Sequence, residues 1–211
     1  MIAVYTANIS SNDPLREPLV VADDVDYIYF TNRNFNQSTA WDIRKVKSSG
    51  NPKLQSRWFF DQSCLVLPEY EYTVMHGANS QLTINPRVLI DTYLTDTDLA
   101  AFRHPHRDCI YNEGSVCKTY GKDSCDVINQ QMNHYGRQGY PRHNGLSACI
   151  LLVRRNTPEL AAFETRWFEE VSRFSHRDQL SFDYVRWLMG MPVTYIPGDP
   201  FQSPIMAIHK H

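Results

Sequence analysis

The sequence predicts an α/β fold: one domain over residues 1–211, with a mixed, mostly parallel sheet flanked by helices. Two observations predict it. Short β-branched and aromatic runs alternate along the chain with longer segments that repeat apolar residues at helical spacing. One run, "ACILLVRR" (148–155), is the clearest buried strand of the chain. A chain of 211 residues suits a single sizeable core.

The elements follow in order. "IAVYTA" (2–7) reads as the first strand, ended by the turn-forming cluster "NISSNDP". "VDYIYFTN" (25–32) is the second, combining aromatic and β-branched residues, with a loop running on to about Trp41. "LQSRWFFDQSCLVL" (54–67) predicts a short helix closed by Pro68, and "YTVM" and "QLTI" are strands flanking a turn at 76–79. "NPRVLIDTYLTDTDLAAFRHP" (85–105) predicts a helix and then an extended piece. In "CDVINQQMNHYGRQGYP" (125–141), Val127, Ile128, Met132 and Tyr135 recur near helical spacing until Gly136–Pro141 stops them. "NTPELAAFETRWFEEVSRF" (156–174) is the clearest helix: Asn156 or Thr157 caps it, Pro158 opens it, and Leu160, Phe163, Trp167 and Val171 share a face. "RDQLSFDYVRWLMG" (177–190) is the last helix, ended by Gly190 and followed by the strand "PVTYI".

Composition narrows the functional classes. Lys+Arg 21 against Asp+Glu 23 gives a net charge of −2, without the global basic field that gathers nucleic acid. "MIAVYTANIS" has no charged leader and no long apolar core, so it is read as a strand. No run of about 18 apolar residues occurs, and a soluble, cytoplasmic protein is expected. Five cysteines without an export signal predict reduced thiols, and His104, His106, Cys109, Cys117 and Cys125 lack the paired Cys-x-x-Cys spacing of a structural zinc site.

Three stretches carry the chemical signal. "SHRDQLSFDYV" (175–185) leads a charged cluster into a helix; Ser175 is read as its cap, with Asp178 in the first turn, where the helix dipole favours a carboxylate. A Ser-x-x-Asp of this kind is also a plain capping arrangement. "RHPHRDCIYNE" (103–113) is dense in Arg and His, including His106 and Arg107, a composition suited to anions or polyols and equally to a solvated loop. "NHYGRQGYPRHNGL" (133–146) sets Tyr135, Arg137, Tyr140 and Arg142 on a glycine-punctuated loop, the composition of a sugar- or base-binding lip. Sheets of this class bind ligands beyond the carboxyl ends of their strands, which places "YTANIS", "FTNRN" and the 76–79 turn along one candidate edge.

Together, "VYTANI", "DYIYFTN", "SRWFFDQSCLVLPEYEYTVMHGANSQL", "HPHRDCIYNE", "QQMNHYGRQGYPRHNGLSACILLVRR" and "SHRDQLSFDYV" resemble, in order and over nearly the whole chain, a family of small GT-A-type glycosyltransferase-like domains. The family was long catalogued as a domain of unknown function, with bacterial, plant and phage members. The resemblance implies a Rossmann-like GT-A fold that binds a nucleoside diphosphate sugar and transfers the sugar to an acceptor hydroxyl. It implies donor contacts at Tyr5, Thr6, Thr31, Asn32, Arg57 and Asn79, and a catalytic pair at Asp178 and Gln179. Acceptor or sugar contacts are expected at His106, Arg107, Tyr135, Tyr140 and Arg177. Mn²⁺ or Mg²⁺ is expected at Asn79 with His209 or His211. The chain departs from the family pattern at the turn: Met75 stands for a Trp and Gly77 for the metal-binding Asp, while Asn79 is kept, and a Lys usual near Phe60 is missing. A neutral Asn is a poorer partner for a hard cation, which leaves His76 and the terminal histidines as compensating ligands. Three readings stay open: a transferase, a non-catalytic nucleotide- or carbohydrate-binding relative, and a phage enzyme that glycosylates a hydroxymethylated DNA base.

Overall fold

In the computed structural model, which describes residues 1–9, 13–48 and 50–209, nine strands and seven helices follow one another. The strands are β1 (Ile2–Asn8), β2 (Val25–Thr31), β3 (Asp42–Lys45), β4 (Tyr72–His76), β5 (Ser80–Leu82), β6 (Leu99–Arg103), β7 (Ser147–Arg155), β8 (Thr194–Ile196) and β9 (Met206–Ile208). The helices are α1 (Pro52–Asp61), α2 (Ser63–Val66), α3 (Pro86–Tyr93), α4 (Ile110–Thr119), α5 (Cys125–Arg137), α6 (Pro158–Arg173) and α7 (Gln179–Met189).

The main sheet has the order β3-β2-β1-β4-β7-β6-β8. The pairs β1–β2, β1–β4, β2–β3 and β6–β8 are parallel, and β7 runs antiparallel to β4 and β6. The predicted mixed, mostly parallel sheet is therefore present. From β1 the chain builds outward through β2 and β3, then returns to place β4 on the other side of β1. That reversal opens a crevice at the carboxyl ends of β1 and β4.

Both faces of the sheet are covered, which is why β1 is buried at every position. Ala3, Tyr5 and Ala7 join Phe60, Phe163, Trp167 and Phe182 in one core, under α1, α5, α6 and α7. Ile2 and Val4 face the second core with Trp41, Val74, Leu89 and Ile90, under α3. Burying one such side chain stabilises the fold by roughly 1.5–3 kcal/mol.

The predicted caps mostly hold. Thr157 caps α6 by accepting from Leu160 N, with Pro158 opening the helix, and Gly190 ends α7 in the left-handed conformation at φ 66°. The start of α7 differs from expectation. Asp178 is the N-cap and accepts from Gln179 N, while Ser175 donates its hydroxyl to Asp123 at 2.7 Å. A carboxylate satisfies the free N–H groups of a first turn as well as a hydroxyl does.

The layers are joined by a buried ion pair. Arg154 of β7 meets Glu164 of α6 at 3.2 Å, both about 1% exposed. Arg154 also donates to Phe60 O and to the Tyr5 hydroxyl, each at 2.9 Å, and Glu164 accepts from Ser63 Oγ and Cys64 N. A buried pair needs this density of partners to offset its desolvation. Among the described residues, no helix is long and apolar enough to cross a membrane.

Candidate active site

An open cleft of about 900 Å³ lies at the crevice. Ala7 and Ile9 bring it the end of β1, and Met75, Gly77 and Asn79 the end of β4 and its turn. Ala148 and Cys149 of β7, Arg57 of α1, and the 176–179 segment that starts α7 complete its floor. The volume is that of a site for a substrate the size of a nucleotide.

Arg57 and Asp178 form its centre. The guanidinium Nη1 donates to Asp178 Oδ2 at 2.6 Å, and the Asp178 side chain is 4% exposed. Asp178 Oδ1 accepts from Gln179 N at 2.9 Å. Behind the pair, Trp167 Nε1–H donates to the Asp178 carbonyl at 3.0 Å, tying the site to the interior of α6. Gln179 is tethered too, donating Nε2–H to Ser147 O at 2.7 Å. Burial acts to lower the Arg57 pKa, but Asp178 and Asp61 outweigh it, so the guanidinium stays charged.

Of the expected site residues, Arg57, Asn79, Arg177, Asp178 and Gln179 converge on the cleft. Lys53 and Lys122 also line it, so its cations outnumber its carboxylates Asp13, Glu113 and Asp178. Glu113 is answered by Arg107. Arg177 carries a buried Nε with no hydrogen-bond partner among the described residues.

Other expectations are corrected. Tyr5 does not line the cleft: it is 0% exposed and its hydroxyl binds Phe60 O and Arg154 inside the core. Thr6 and Thr31 are equally buried, Thr31 donating to Asn8 O, while Asn32 lies off the cleft and donates to Ser48 Oγ. Tyr135 is no lip residue: it stacks on Tyr184 at 3.7 Å between centroids and donates to Glu170. Tyr140 is likewise buried, against Tyr184 and Trp187. His106 and Arg107 fall outside the cleft lining, whereas His104 lies within it. The periodicity that marks a tyrosine as half of a helix face does not say whether that face meets solvent or core.

Asn79 and His209, the expected metal ligands among the described residues, do not fit a hard divalent cation. Asn79 offers an amide oxygen, and its backbone and side chain are stitched to His209. His209 Nε2 is spent on Gln81 Oε1 at 2.6 Å, and His211 lies outside the described residues. His76 turns away from the cleft: it is buried against Trp41, and that burial lowers its pKa. No group of three His, Cys, Asp or Glu able to hold an ion occurs among the described residues. Cys149 lines the cleft, but burial, with Asp178 and Asp183 adding to it, pushes its thiol well above the usual range. A thiol so placed stays protonated and is a poor nucleophile.

Sequence reasoning missed His176, Lys53 and the rim pair Tyr120 and Phe201, which also line the cleft. His176 lay inside a segment already singled out. Its partner Asp123, however, is 53 residues earlier, and no local pattern links them.

Comparison with known proteins gives a family. "Probable hexosyltransferase MUCI70" of Arabidopsis thaliana is 26% identical over 131 residues, 57% of this chain and 22% of that protein. "Alkaline ceramidase TOD1" of the same plant is 26% identical over 165 residues, 70% of this chain and 35% of that protein. The chain thus spans between a fifth and about a third of these relatives. The structure titled "WbbM bifunctional glycosytransferase apo structure" superposes with a TM-score of 0.55 at 10% identity, over 93% of this chain and 38% of that one, a likeness of fold. Residues 63–197 match the family described as TOD1/MUCI70, glycosyltransferase-like domain. On that match, and with a GT-A-like sheet and its cleft in place, the chain belongs to the TOD1/MUCI70 family of glycosyltransferase-like domains.

Proposed function

We propose that this chain is a glycosyltransferase domain that moves a sugar from a nucleoside diphosphate sugar to a hydroxyl of a glycan acceptor. The observation that carries this reading is the Arg57–Asp178 pair at the centre of a cleft placed at the sheet's reversal point. The diphosphate lies against Lys53, Arg57 and Arg177, whose charges meet the negative charge that grows on the leaving group. Asp178, held by Arg57, and Gln179, held by Ser147, present polar groups to the hydroxyls of the donor sugar. This assignment places the charge balance on the chain's own cations.

The acceptor half of the cleft lies toward β6 and β8. Tyr120 is 72% exposed and Phe201 63% exposed, and both rings line the mouth. Exposed rings at a polar cleft favour a ligand with apolar C–H faces, such as a sugar ring, over a duplex backbone. A binding-only relative is the second reading, favoured by the carboxylate missing from the Gly77 turn.

The test is calorimetric titration of UDP and GDP with Mn²⁺, Mg²⁺ or EDTA, followed by donor turnover with and without oligosaccharide. Metal-indifferent nucleotide binding with sugar transfer is expected. Binding without turnover favours the binding-only relative. No nucleotide binding, or hydrolysis of ceramide in a parallel assay, overturns the transferase reading.

A further inference from the structure

His176 and Asp123 form a dyad that none of the above assigns. His176 Nδ1 lies 2.7 Å from Asp123 Oδ2, and the same oxygen accepts from His176 N at 3.1 Å and Ser175 Oγ at 2.7 Å. Asp123 Oδ1 is fixed in turn by Ser124 N at 2.8 Å. The carboxylate is thus held by Ser175 Oγ, Ser124 N and the His176 backbone N–H, and stands as a charge beside the His176 ring. The ring lines the cleft with its side chain 16% exposed, and Nε2 takes no hydrogen bond among the described residues. His104, the other histidine of the cleft, differs: Nδ1 accepts from His106 N and Arg107 N, and Nε2 faces Arg107 Nη2 at 3.0 Å. Asp178 already accepts a hydrogen bond on each oxygen.

We propose that His176 is the general base of the transfer, with Asp123 as its charge partner; this rests on the transferase reading above. The acceptor hydroxyl attacks the anomeric carbon and forms the new glycosidic C–O bond. Its proton passes to His176 Nε2. The bond from the anomeric carbon to the phosphate oxygen breaks, and the nucleoside diphosphate leaves with the electron pair.

The surroundings suit the role. Facing His176 are Asp123 from the loop before α5, Lys53 and Arg57 from α1, and Arg177 beside it. Burial is the largest influence and lowers its pKa; Asp123 opposes it, and the three cations add to it. The free ring is therefore neutral at pH 7 and able to accept a proton. A bound diphosphate screens the same cations and raises the ring's proton affinity as the reaction calls for it.

The test combines three readouts. In the wild type, ¹⁵N NMR of the His176 ring at pH 7 is expected to show the neutral Nδ1–H tautomer; an Nε2–H tautomer or an imidazolium overturns the proposal without reference to any donor. His176→Asn is expected to lower kcat by about 10²–10⁴-fold with the donor KM within about twofold, and to abolish the acid limb of the pH profile. Asp123→Asn is expected to lower kcat less and to move that limb. Unchanged kcat in His176→Asn, or activity lost as pH rises instead of as it falls, overturns the base assignment while leaving the transferase reading intact. A wild type that binds no nucleoside diphosphate and turns over no donor overturns both.

Discussion

Arg57 and Asp178, 121 residues apart in sequence, meet at 2.6 Å at the centre of the cleft. The pair joins α1 to the start of α7, so each partner is at once part of the site and part of its frame. Asp178→Asn keeps the shape and removes the charge. Turnover is expected to fall by about 10²-fold or more while nucleotide affinity stays within a few-fold. Steady-state kinetics beside calorimetry check this, and unaltered kcat would remove Asp178 from the mechanism.

The Gly77 turn admits a second test. A Cβ built there meets Asn79 Oδ1 at 2.9 Å, the movable end of a side chain. Gly77→Asp therefore displaces the Asn79 amide and restores a carboxylate at the end of β4. Donor affinity is expected to become Mn²⁺-dependent, gaining about tenfold or more over EDTA. A calorimetric titration identical to wild type would show that position 77 is not where the family's metal ligand belongs.

Asp61 has no exposed surface, and neither of its carboxyl oxygens has a hydrogen-bond partner among the described residues. Burial, then the charge of Asp178, raise its pKa well above the usual carboxylate range, against the pull of Arg57 and Arg154. The sign follows from proton linkage. A group whose pKa is raised by folding contributes stability that is whole below its unfolded value near ~4 and is lost as pH climbs toward the folded value. Asp61→Asn removes that loss. Urea midpoints of the variant are expected to gain on wild type as pH rises from about 4, and parallel curves would show that Asp61 does not titrate with folding.

Arg154 and Glu164 offer a stability test away from the chemistry. Arg154→Met leaves Glu164 charged, buried and short of its strongest partner, a change that costs about 3–5 kcal/mol. For a chain of this size the melting temperature is expected to drop by roughly 10 °C. A drop under about 3 °C would mean the interior relaxes around the orphaned carboxylate.

The layered fold was legible because periodicity reports it directly. The runs at 2–7, 25–32 and 148–155 are strands, and Thr157, Pro158 and Gly190 bound helices as their chemistry predicts. The lining of the candidate cleft was legible where one segment carries it, at Asp178 and Gln179, and through the resemblance at Arg57. It was not legible at Tyr5, Tyr135 and Tyr140. A tyrosine serves a core as readily as a lip when its hydroxyl finds a buried partner, as Tyr135 does in Glu170. Nor could the sequence reveal His176, since its meaning depends on Asp123, a residue brought to it only by the packing of α4 and α5 beside α7.

Trp167 holds the carbonyl of Asp178 from inside the helix layer, whereas the rings of Tyr120 and Phe201 stand at the rim on connecting segments. On the transferase reading, the donor side is thus anchored in the core, and admission of the acceptor falls to exposed residues that tolerate exchange. A directed library confined to 120–122 and 200–201 would therefore sample new acceptors at little cost in folded yield. On the same reading, that separation gives natural descendants of this chain a route to change the acceptor while keeping the donor site.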